Sequence, residues 1–293
     1  MPRARSRTAR SAGVAAICLA TAWPCAAAPL KILAAESAYG QVAGAIAGDR
    51  AAVTSILTNP SQDPHDFEAR PSTARLVAEA AIVAVNGAGY DTWMDHLLTA
   101  APMRGRDTIV VATLVQAAPG ANPHLWYNPL AMPRFAEALT AALCRHDPAG
   151  APLYSQNLKT FLASATVLQA RIAALRSRFA GTPITATEPV FDDMAAALGL
   201  PMRNERFQRA IMNGTEPRAS DVAAMDADLR EHQVRVLLTN PQVTDAATAR
   251  LVGIARESGI PLVPITETLP PGQTYVEWML AQLAVLETAL AAK

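Results

Sequence analysis

The feature that most constrains the fold of this chain is an uninterrupted helical pattern near its middle. Between Leu153 and Phe179 there is no Gly or Pro, and apolar residues recur at spacings of three and four. Segments with Pro and Gly lie on both sides, at 148–152 and 181–183. A helix of about 27 residues would be about 40 Å long. The pattern therefore predicts a rigid helix that joins two bodies. A coiled coil is the alternative, which the drifting apolar spacing disfavours.

Short β-branched runs alternate with longer helical patterns on both sides of this helix. The candidate strands are Ala52–Leu57, Ala81–Val85, Thr108–Ala112, Pro183–Thr187, Val234–Thr239 and Pro261–Thr266, and the candidate helices include Ser72–Glu79, Met132–Leu143, Asp221–Glu231 and Asp245–Glu257. Such alternation is typical of parallel sheets covered by helices. We therefore predict the α/β class, with similar lobes at 29–150 and 182–293 and a linker helix at 151–181.

The N-terminus has the three parts of a secretory signal peptide. Residues 1–10 carry four arginines and no acid, an apolar run extends from Gly13 to Trp23, and small residues follow Pro24. The apolar run is too short to cross a bilayer as a stable helix. We predict a signal peptide over 1–28, cleavage after Ala27 or Ala28, and export to the periplasm. Trp23 and Pro24 directly before Cys25 argue against lipidation of that cysteine.

Loss of this segment changes the charge and cysteine balance of the chain. Residues 1–28 contain four of the 25 basic residues and none of the 25 acidic ones. The rest of the chain therefore has 21 basic and 25 acidic residues, a net charge of −4. That balance gives no reason to expect nucleic acid as a partner. Cys144 alone remains of three cysteines, so no intramolecular disulfide can form. No segment after residue 28 is expected to be long and apolar enough to cross a membrane.

Four residues with metal-binding side chains share one position relative to the predicted strands. Each lies at or after the carboxyl end of a strand: His65, His124, Glu188 and Glu267. In open α/β sheets the ligand crevice lies beyond these strand ends, so two ligands from each lobe would meet in a cleft between the lobes. Prolines lie near three of these four residues and stiffen the loops that carry them: Pro60 and Pro64 near His65, Pro123 before His124, and Pro189 after Glu188. A metal site needs such stiffness, because its bond lengths tolerate little movement.

The same stretches resemble a known family. Residues 59–68 (NPSQDPHDFE), residues 85–94 (VNGAGYDTWM) and residues 122–126 (NPHLW) strongly resemble motifs of the zinc- and manganese-binding periplasmic proteins of ABC importers. Residues 187–191 (TEPVF) and 266–268 (TET) stand where that family places its third and fourth ligands. The resemblance covers nearly all of residues 30–290 in order. It implies two similar α/β lobes joined by a long helix, with the metal between them.

This resemblance implies a function in transport rather than catalysis. The protein would capture one divalent transition metal ion per chain, as cargo, and deliver it as a monomer to an ABC permease in the inner membrane. The ligands carried over to this sequence are His65, His124, Glu188 and Glu267. Zinc-specific members often carry His at the third position, and many have a His-rich or acidic loop where this chain has the neutral segment 113–122. Two histidines with two carboxylates suit Mn²⁺ relatively better, while Zn²⁺ still binds by raw affinity order.

An exported metallohydrolase is the alternative function. Two histidines with a carboxylate are also a catalytic zinc set. A hydrolase needs an open coordination position and a general base, for which Asp63 or Asp66 could be proposed. Four protein ligands leave no position for the activated water, and the sequence has no HExxH helix. His96, His146 and His232 are expected to be surface residues outside the site.

Overall fold

The computed structural model describes residues 29–292, so the predicted signal peptide, its cleavage position and Cys25 lie outside the described residues. The first half of the chain forms a four-stranded parallel sheet with strand order β2-β1-β3-β4. Its elements are β1 (Leu30–Glu36), α1 (Ser37–Ala47), β2 (Ala51–Leu57), α2 (Pro71–Glu79), β3 (Ile82–Val85), α3 (Thr92–Ala100), β4 (Asp107–Val110), α4 (Val111–Leu114) and α5 (Ala131–His146).

The second half repeats this arrangement after one long helix. That helix is α6 (Ala151–Phe179), and the elements after it are β5 (Ile184–Ala186), α7 (Asp192–Leu198), β6 (Met202–Arg203), α8 (Glu205–Met212), α9 (Ala219–Arg230), β7 (Leu237–Thr239), α10 (Ala246–Glu257), β8 (Leu262–Pro264) and α11 (Tyr275–Ala291). The second sheet is also parallel, with the order β6-β5-β7-β8. The α/β prediction with two similar lobes and a linking helix is confirmed.

Two strands of the structure, β1 and β6, are absent from the predicted set. The first is β1, which pairs with both β2 and β3 and is therefore central to its sheet. Its sequence runs directly into α1 without a turn residue, and alanines occur at its end, so no local signal separates strand from helix. The second is β6, which has only two residues. The long helix is 29 residues long and starts two residues before the predicted run, because Pro152 is tolerated in the first helical turn.

The helix α6 is also long and apolar enough to cross a membrane, judged by length and composition over Pro148–Phe179. The expectation that no segment after residue 28 meets this test is therefore wrong. The apolar stripe of the helix has another explanation in the fold. Its buried residues include Phe161, Leu168 and Leu175, and it packs against α1, α5 and α11. The stripe belongs to the core of the molecule.

One continuous hydrophobic core joins the two lobes. It includes Ile32 and Ile82 from the first sheet, Leu168 from α6, and Ile184 and Val263 from the second sheet. Hydrogen bonds between the lobes supplement this core. Tyr127 donates its hydroxyl to the carbonyl oxygen of Thr266 at 2.7 Å, and Tyr275 donates its hydroxyl to the carbonyl of Trp126 at 2.7 Å. The position of one lobe relative to the other is therefore fixed by buried contacts as well as by α6.

Candidate metal centre

His65 is positioned by a short turn that follows β2. Asp63 caps this turn by accepting the backbone N–H of His65 at 2.8 Å, and Pro64 fixes the backbone between them. The imidazole is mostly buried, with 20% of its surface exposed. A cavity of about 370 Å³ lies beside it, lined in part by Gly89, Asn122 and Arg209. His65 is thus the member of the predicted ligand set that borders open space.

His124 is fully buried, and its orientation is set by Asn122. The Nδ1 atom of His124 lies 2.8 Å from Oδ1 of Asn122, while the Asn122 amide nitrogen donates to the carbonyl of Pro189 and to Asp192. Because the amide nitrogen is used there, Oδ1 faces the ring and His124 must donate from Nδ1. Nε2 is then the ring atom that faces the cleft, 3.1 Å from Oε2 of Glu267, and it is the ring atom available to a metal ion.

Glu188 and Glu267 enter the cleft from the second lobe, after β5 and β8. Both carboxylates are buried, with 3% of each residue exposed. Asn240, which follows β7, donates its amide nitrogen to Oε2 of Glu188 at 2.6 Å and to Oε1 of Glu267 at 2.7 Å. Tyr90 from the first lobe donates its hydroxyl to Oε2 of Glu267 at 2.8 Å. Hydrogen bonds therefore hold both oxygens of Glu267 and one oxygen of Glu188.

The two lobes bring three of the four predicted residues into one cluster. The ligand atoms of His65, His124 and Glu267 all lie within 4.8 Å of one another. Oε2 of Glu267 is 3.1 Å from Nε2 of His124 and 3.6 Å from Nε2 of His65, and the two Nε2 atoms are 3.4 Å apart. Donors about 2.0–2.1 Å from one tetrahedral ion would be about 3.3 Å apart. The three atoms are therefore spaced as donors to a single ion.

Glu188 lies at the margin of this cluster. Its Oε1 is 4.0 Å from Nε2 of His65. A short turn that begins at Pro189 follows Glu188, and Asn240 holds its Oε2. Glu188 is thus the one predicted ligand that lies outside the three-residue cluster.

The pKa values of the two buried carboxyl groups, Glu188 and Glu267, are shifted in opposite directions. Burial, together with the neighbouring charge of Glu267, raises the pKa of Glu188 to about 9. Burial alone would also raise the pKa of Glu267, but His124 and its hydrogen bond outweigh that effect and lower this pKa. Burial lowers the pKa of His65. Near neutral pH the metal-free site therefore holds one ionised carboxylate, one protonated carboxyl group and a neutral His65.

Aromatic rings close one side of the cluster. Tyr90 contacts His65 edge-on with ring centroids 5.0 Å apart, and Trp126 packs edge-on against His124 at 5.5 Å. No role was predicted from the sequence for Tyr90, Asn122 or Asn240, although Tyr90 and Asn122 lie within the motifs at 85–94 and 122–126. Asn240 directly follows β7, and that placement at a strand end is the signal that could have identified it. His96 and His232 are exposed, as expected, while His146 is half-buried beside Asp107.

Two parallel α/β lobes joined by one long helix, with a histidine–carboxylate cluster in the cleft, define the class of substrate-binding proteins that serve metal-ion ABC importers. The sequence model of the family described as "ZnuA: Zinc-uptake complex component A periplasmic" matches residues 32–289, and the chain belongs to this family. Members of the family are substrate-binding proteins rather than enzymes. The comparisons give no support to the metallohydrolase alternative.

Named relatives agree with this assignment. The chain is 31% identical to the manganese-binding lipoprotein MntA of Halalkalibacterium halodurans over 138 residues, which is 45% of each protein. It is 24% identical to the manganese ABC transporter substrate-binding lipoprotein PsaA of Streptococcus mitis over 286 residues, covering 89% of each. Among solved structures, the periplasmic zinc binding protein TroA from Treponema pallidum has a TM-score of 0.78 at 15% identity, covering 90% of this chain and all of TroA. FpvC from Pseudomonas aeruginosa, in complex with Mn²⁺, has a TM-score of 0.74 at 22% identity, covering 90% of this chain and 98% of FpvC. At these identities the structural likeness shows the fold.

Proposed function

We propose that this protein captures one Zn²⁺ or Mn²⁺ ion per chain between its lobes and delivers it to an ABC permease of the inner membrane. The ligands are His65, His124, Glu188 and Glu267. The observation that carries the proposal is the convergence of Nε2 and Oε2 atoms, within 4.8 Å, from loops that are far apart in sequence. The relatives MntA and PsaA are named for manganese, and TroA is named as a zinc binding protein.

Charge balance supports this ligand set. Two ionised carboxylates neutralise a dication, and two neutral imidazoles complete the set without adding charge. Burying a net charge would be costly, so a neutral centre suits a cleft in which Glu188, Glu267 and His124 are almost fully buried. The proton held by Glu188 must leave when the ion binds, because metal ligands bind in their deprotonated forms.

Capture and release take place in an exported monomer divided into a signal peptide (1–28), a first lobe (29–150), a linker helix (151–181) and a second lobe (182–293). The signal peptide is removed without lipidation of Cys25. Contact with the permease is transient, and nucleic acid is not a partner. Because a continuous core and buried hydrogen bonds join the lobes, release proceeds by small local shifts rather than by wide hinge closure.

Elemental analysis of natively isolated protein, followed by chelator competition with Zn²⁺ and Mn²⁺, tests the proposal. We expect one metal ion per chain. The substitutions His65→Ala, His124→Ala, Glu188→Ala and Glu267→Ala should each weaken binding by more than about tenfold. His96→Ala is the matched control, since His96 is exposed on α3 outside the cleft, and it should bind as tightly as the unmodified protein. Unchanged affinity in a ligand variant would remove that residue from the site.

Mass spectrometry of the mature N-terminus tests the export part of the proposal. We expect a chain that starts at residue 28 or 29. A lipid-modified Cys25 at the N-terminus would contradict it.

A further inference from the structure

The cavity beside His65 lies between the two lobes. The first lobe contributes loop residues that include Gly89 and Gly120, and the second lobe contributes Arg209 and Asn213 at the C-terminal end of α8. Its volume of about 370 Å³ lies within the range of about 300–1,000 Å³ that is usual for small-molecule pockets. A Cβ atom at Gly89 or Gly120 would meet no other atom within 4 Å, so both loops border open space. The cavity is therefore large enough for a small organic molecule next to the candidate metal centre.

The permanent charge that lines this cavity is positive. Among residues 29–292, no Asp or Glu lines it, and Arg209 is the one lining residue with a permanent charge. Arg209 makes a long ion pair, at 3.9 Å, with Glu205 on the same helix, and both side chains are 57% exposed, so this pair is weak. The segment 113–122, whose end lines the cavity, carries no charged residue. Arg209 therefore favours an anion in this cavity over a hydrated dication.

The cluster beside the cavity is one donor short of a tetrahedral set. It consists of His65, His124 and Glu267, and Glu188 lies outside it. An ion held by these three residues alone lacks a fourth donor. His65 belongs to the cluster and also lines the cavity. A molecule that fills the cavity against His65 is therefore placed to supply the missing donor until Glu188 moves in.

We propose that this cavity receives the metal ion as a complex with a small polycarboxylate chelator, and that Arg209 binds a carboxylate of that chelator. Guanidinium groups bind carboxylates through paired, charge-assisted hydrogen bonds, and Asn213 carries a further amide donor. The transfer is a ligand exchange without oxidation or reduction. The three donors of the cluster replace chelator oxygens at the ion, and Glu188, after losing its proton to water, replaces the last one. The chelator then leaves through the cavity with the negative charge it had before it bound the ion. The inference rests on the proposed function, since it concerns how the ion reaches that site.

Stopped-flow uptake of Zn²⁺ from zinc citrate and from the hydrated ion, at pH 7 and equal ionic strength, tests this role. Citrate is the chelator used, because its zinc complex is anionic. Arg209→Ala should slow uptake from zinc citrate by about fivefold or more and speed uptake of hydrated Zn²⁺ by up to about twofold, because the cavity loses its cation. Arg206→Ala is the matched control. Arg206 lies on the same helix, is 82% exposed, pairs with Asp221 and does not line the cavity, so both rates should stay as they are.

Retention of the chelator is a second measurement. Glu188→Ala cannot supply the last ligand, so with Zn²⁺ bound it should retain about one citrate per chain in equilibrium dialysis with labelled citrate. Adding Arg209→Ala to this variant should abolish the retention. Equal effects of Arg209→Ala on the two uptake rates, or no citrate retained by Glu188→Ala with Zn²⁺, would overturn the inference and leave metal capture in place. If the unmodified protein took up Zn²⁺ from neither source, the proposed function itself would fail.

Discussion

Replacing Glu188 by Gln is expected to abolish the release of a proton when the metal ion binds. Burial and the charge of Glu267 raise the pKa of Glu188 to about 9. At pH 7 this carboxyl group is therefore almost entirely protonated in the metal-free protein. The ion must displace that proton, because only the carboxylate can coordinate it.

The cost of this displacement follows from the pKa. Because pH 7 is two units below this pKa, removing the proton from Glu188 costs about 2.7 kcal/mol at pH 7, which raises the apparent dissociation constant of the metal ion about 100-fold. The cost falls about tenfold for each pH unit up to about pH 9, so affinity rises with pH over this range. Burial lowers the pKa of His65, so His65 adds its own pH dependence only at lower pH. A Gln at position 188 has no titrating proton and cannot become a negatively charged ligand.

Calorimetric titration with Zn²⁺ at pH 7, in buffers of different ionisation enthalpy, measures the number of protons released. We expect about one more proton from the unmodified protein than from Glu188→Gln. Chelator competition from pH 6 to pH 9 should show a slope near one log unit per pH unit for the unmodified protein and a flat profile above pH 7 for the variant. The variant should also bind more than about tenfold more weakly, because one carboxylate ligand is lost.

His96→Ala is the control for this experiment and should keep both the proton release and the slope. Equal proton release by the unmodified protein and Glu188→Gln would refute the reasoning. Such a result would mean that Glu188 is already ionised in the metal-free cleft, or that it does not contact the ion.

Three further perturbations follow from the same contacts. The pKa of Glu188 in the folded protein lies above its ordinary value of 4.5, so between these two values the folded metal-free protein binds a proton that the unfolded chain does not. The free energy of unfolding should therefore fall as pH rises from about 4.5 to 9, by up to about 1.4 kcal/mol per pH unit. Thermal unfolding with chelator at pH 6 and pH 8 measures this, and a higher melting temperature at pH 8 would contradict it. Asn122→Ala should weaken Zn²⁺ and Mn²⁺ binding by about 10–100-fold, because His124 loses the acceptor that orients it. Chelator competition measures the affinity, and an unchanged affinity would show that the His124 ring does not need the acceptor at Asn122. Tyr127→Phe removes the hydroxyl that lies 2.7 Å from both the carbonyl oxygen of Thr266 and Oε1 of Gln282, and the loss should lower the free energy of unfolding by denaturant by about 1–3 kcal/mol. An unchanged midpoint would show that this contact between the lobes adds no stability.

The sequence predicted the fold class because the signals for it are local. The run from Leu153 to Phe179 lacks helix breakers, and each candidate strand is a short β-branched run bounded by turn residues. The strand β1 was not predicted because the alanines at its end continue into α1 without a turn residue that would mark the end of the strand. What identifies β1 is its pairing with β2 and β3, and pairing depends on residues distant in sequence.

The four metal-ligand candidates could also be selected from the sequence, because parallel strands end at one edge of a sheet and polar residues at those ends point to one crevice. The motifs around His65 and His124 placed them in a family with such a site. The pattern could not reveal the partners that orient these side chains. Asn122 and Asn240 each touch segments more than 25 residues away, and Tyr90 reaches Glu267 across the cleft.

The sequence by itself determined the two-lobed α/β architecture, the linking helix and the chemical types of the donors, since each of these is encoded in local periodicity, strand ends and motifs. Only the tertiary structure decided the protonation and geometry of the cleft. Burial and the proximity of Glu267 raise the pKa of Glu188, and these arise when loops 79 residues apart meet. Asn240 reaches Glu188 and Glu267 from positions 52 and 27 residues away, because the parallel strands β5, β7 and β8 are neighbours and their carboxyl ends meet at one edge of the sheet.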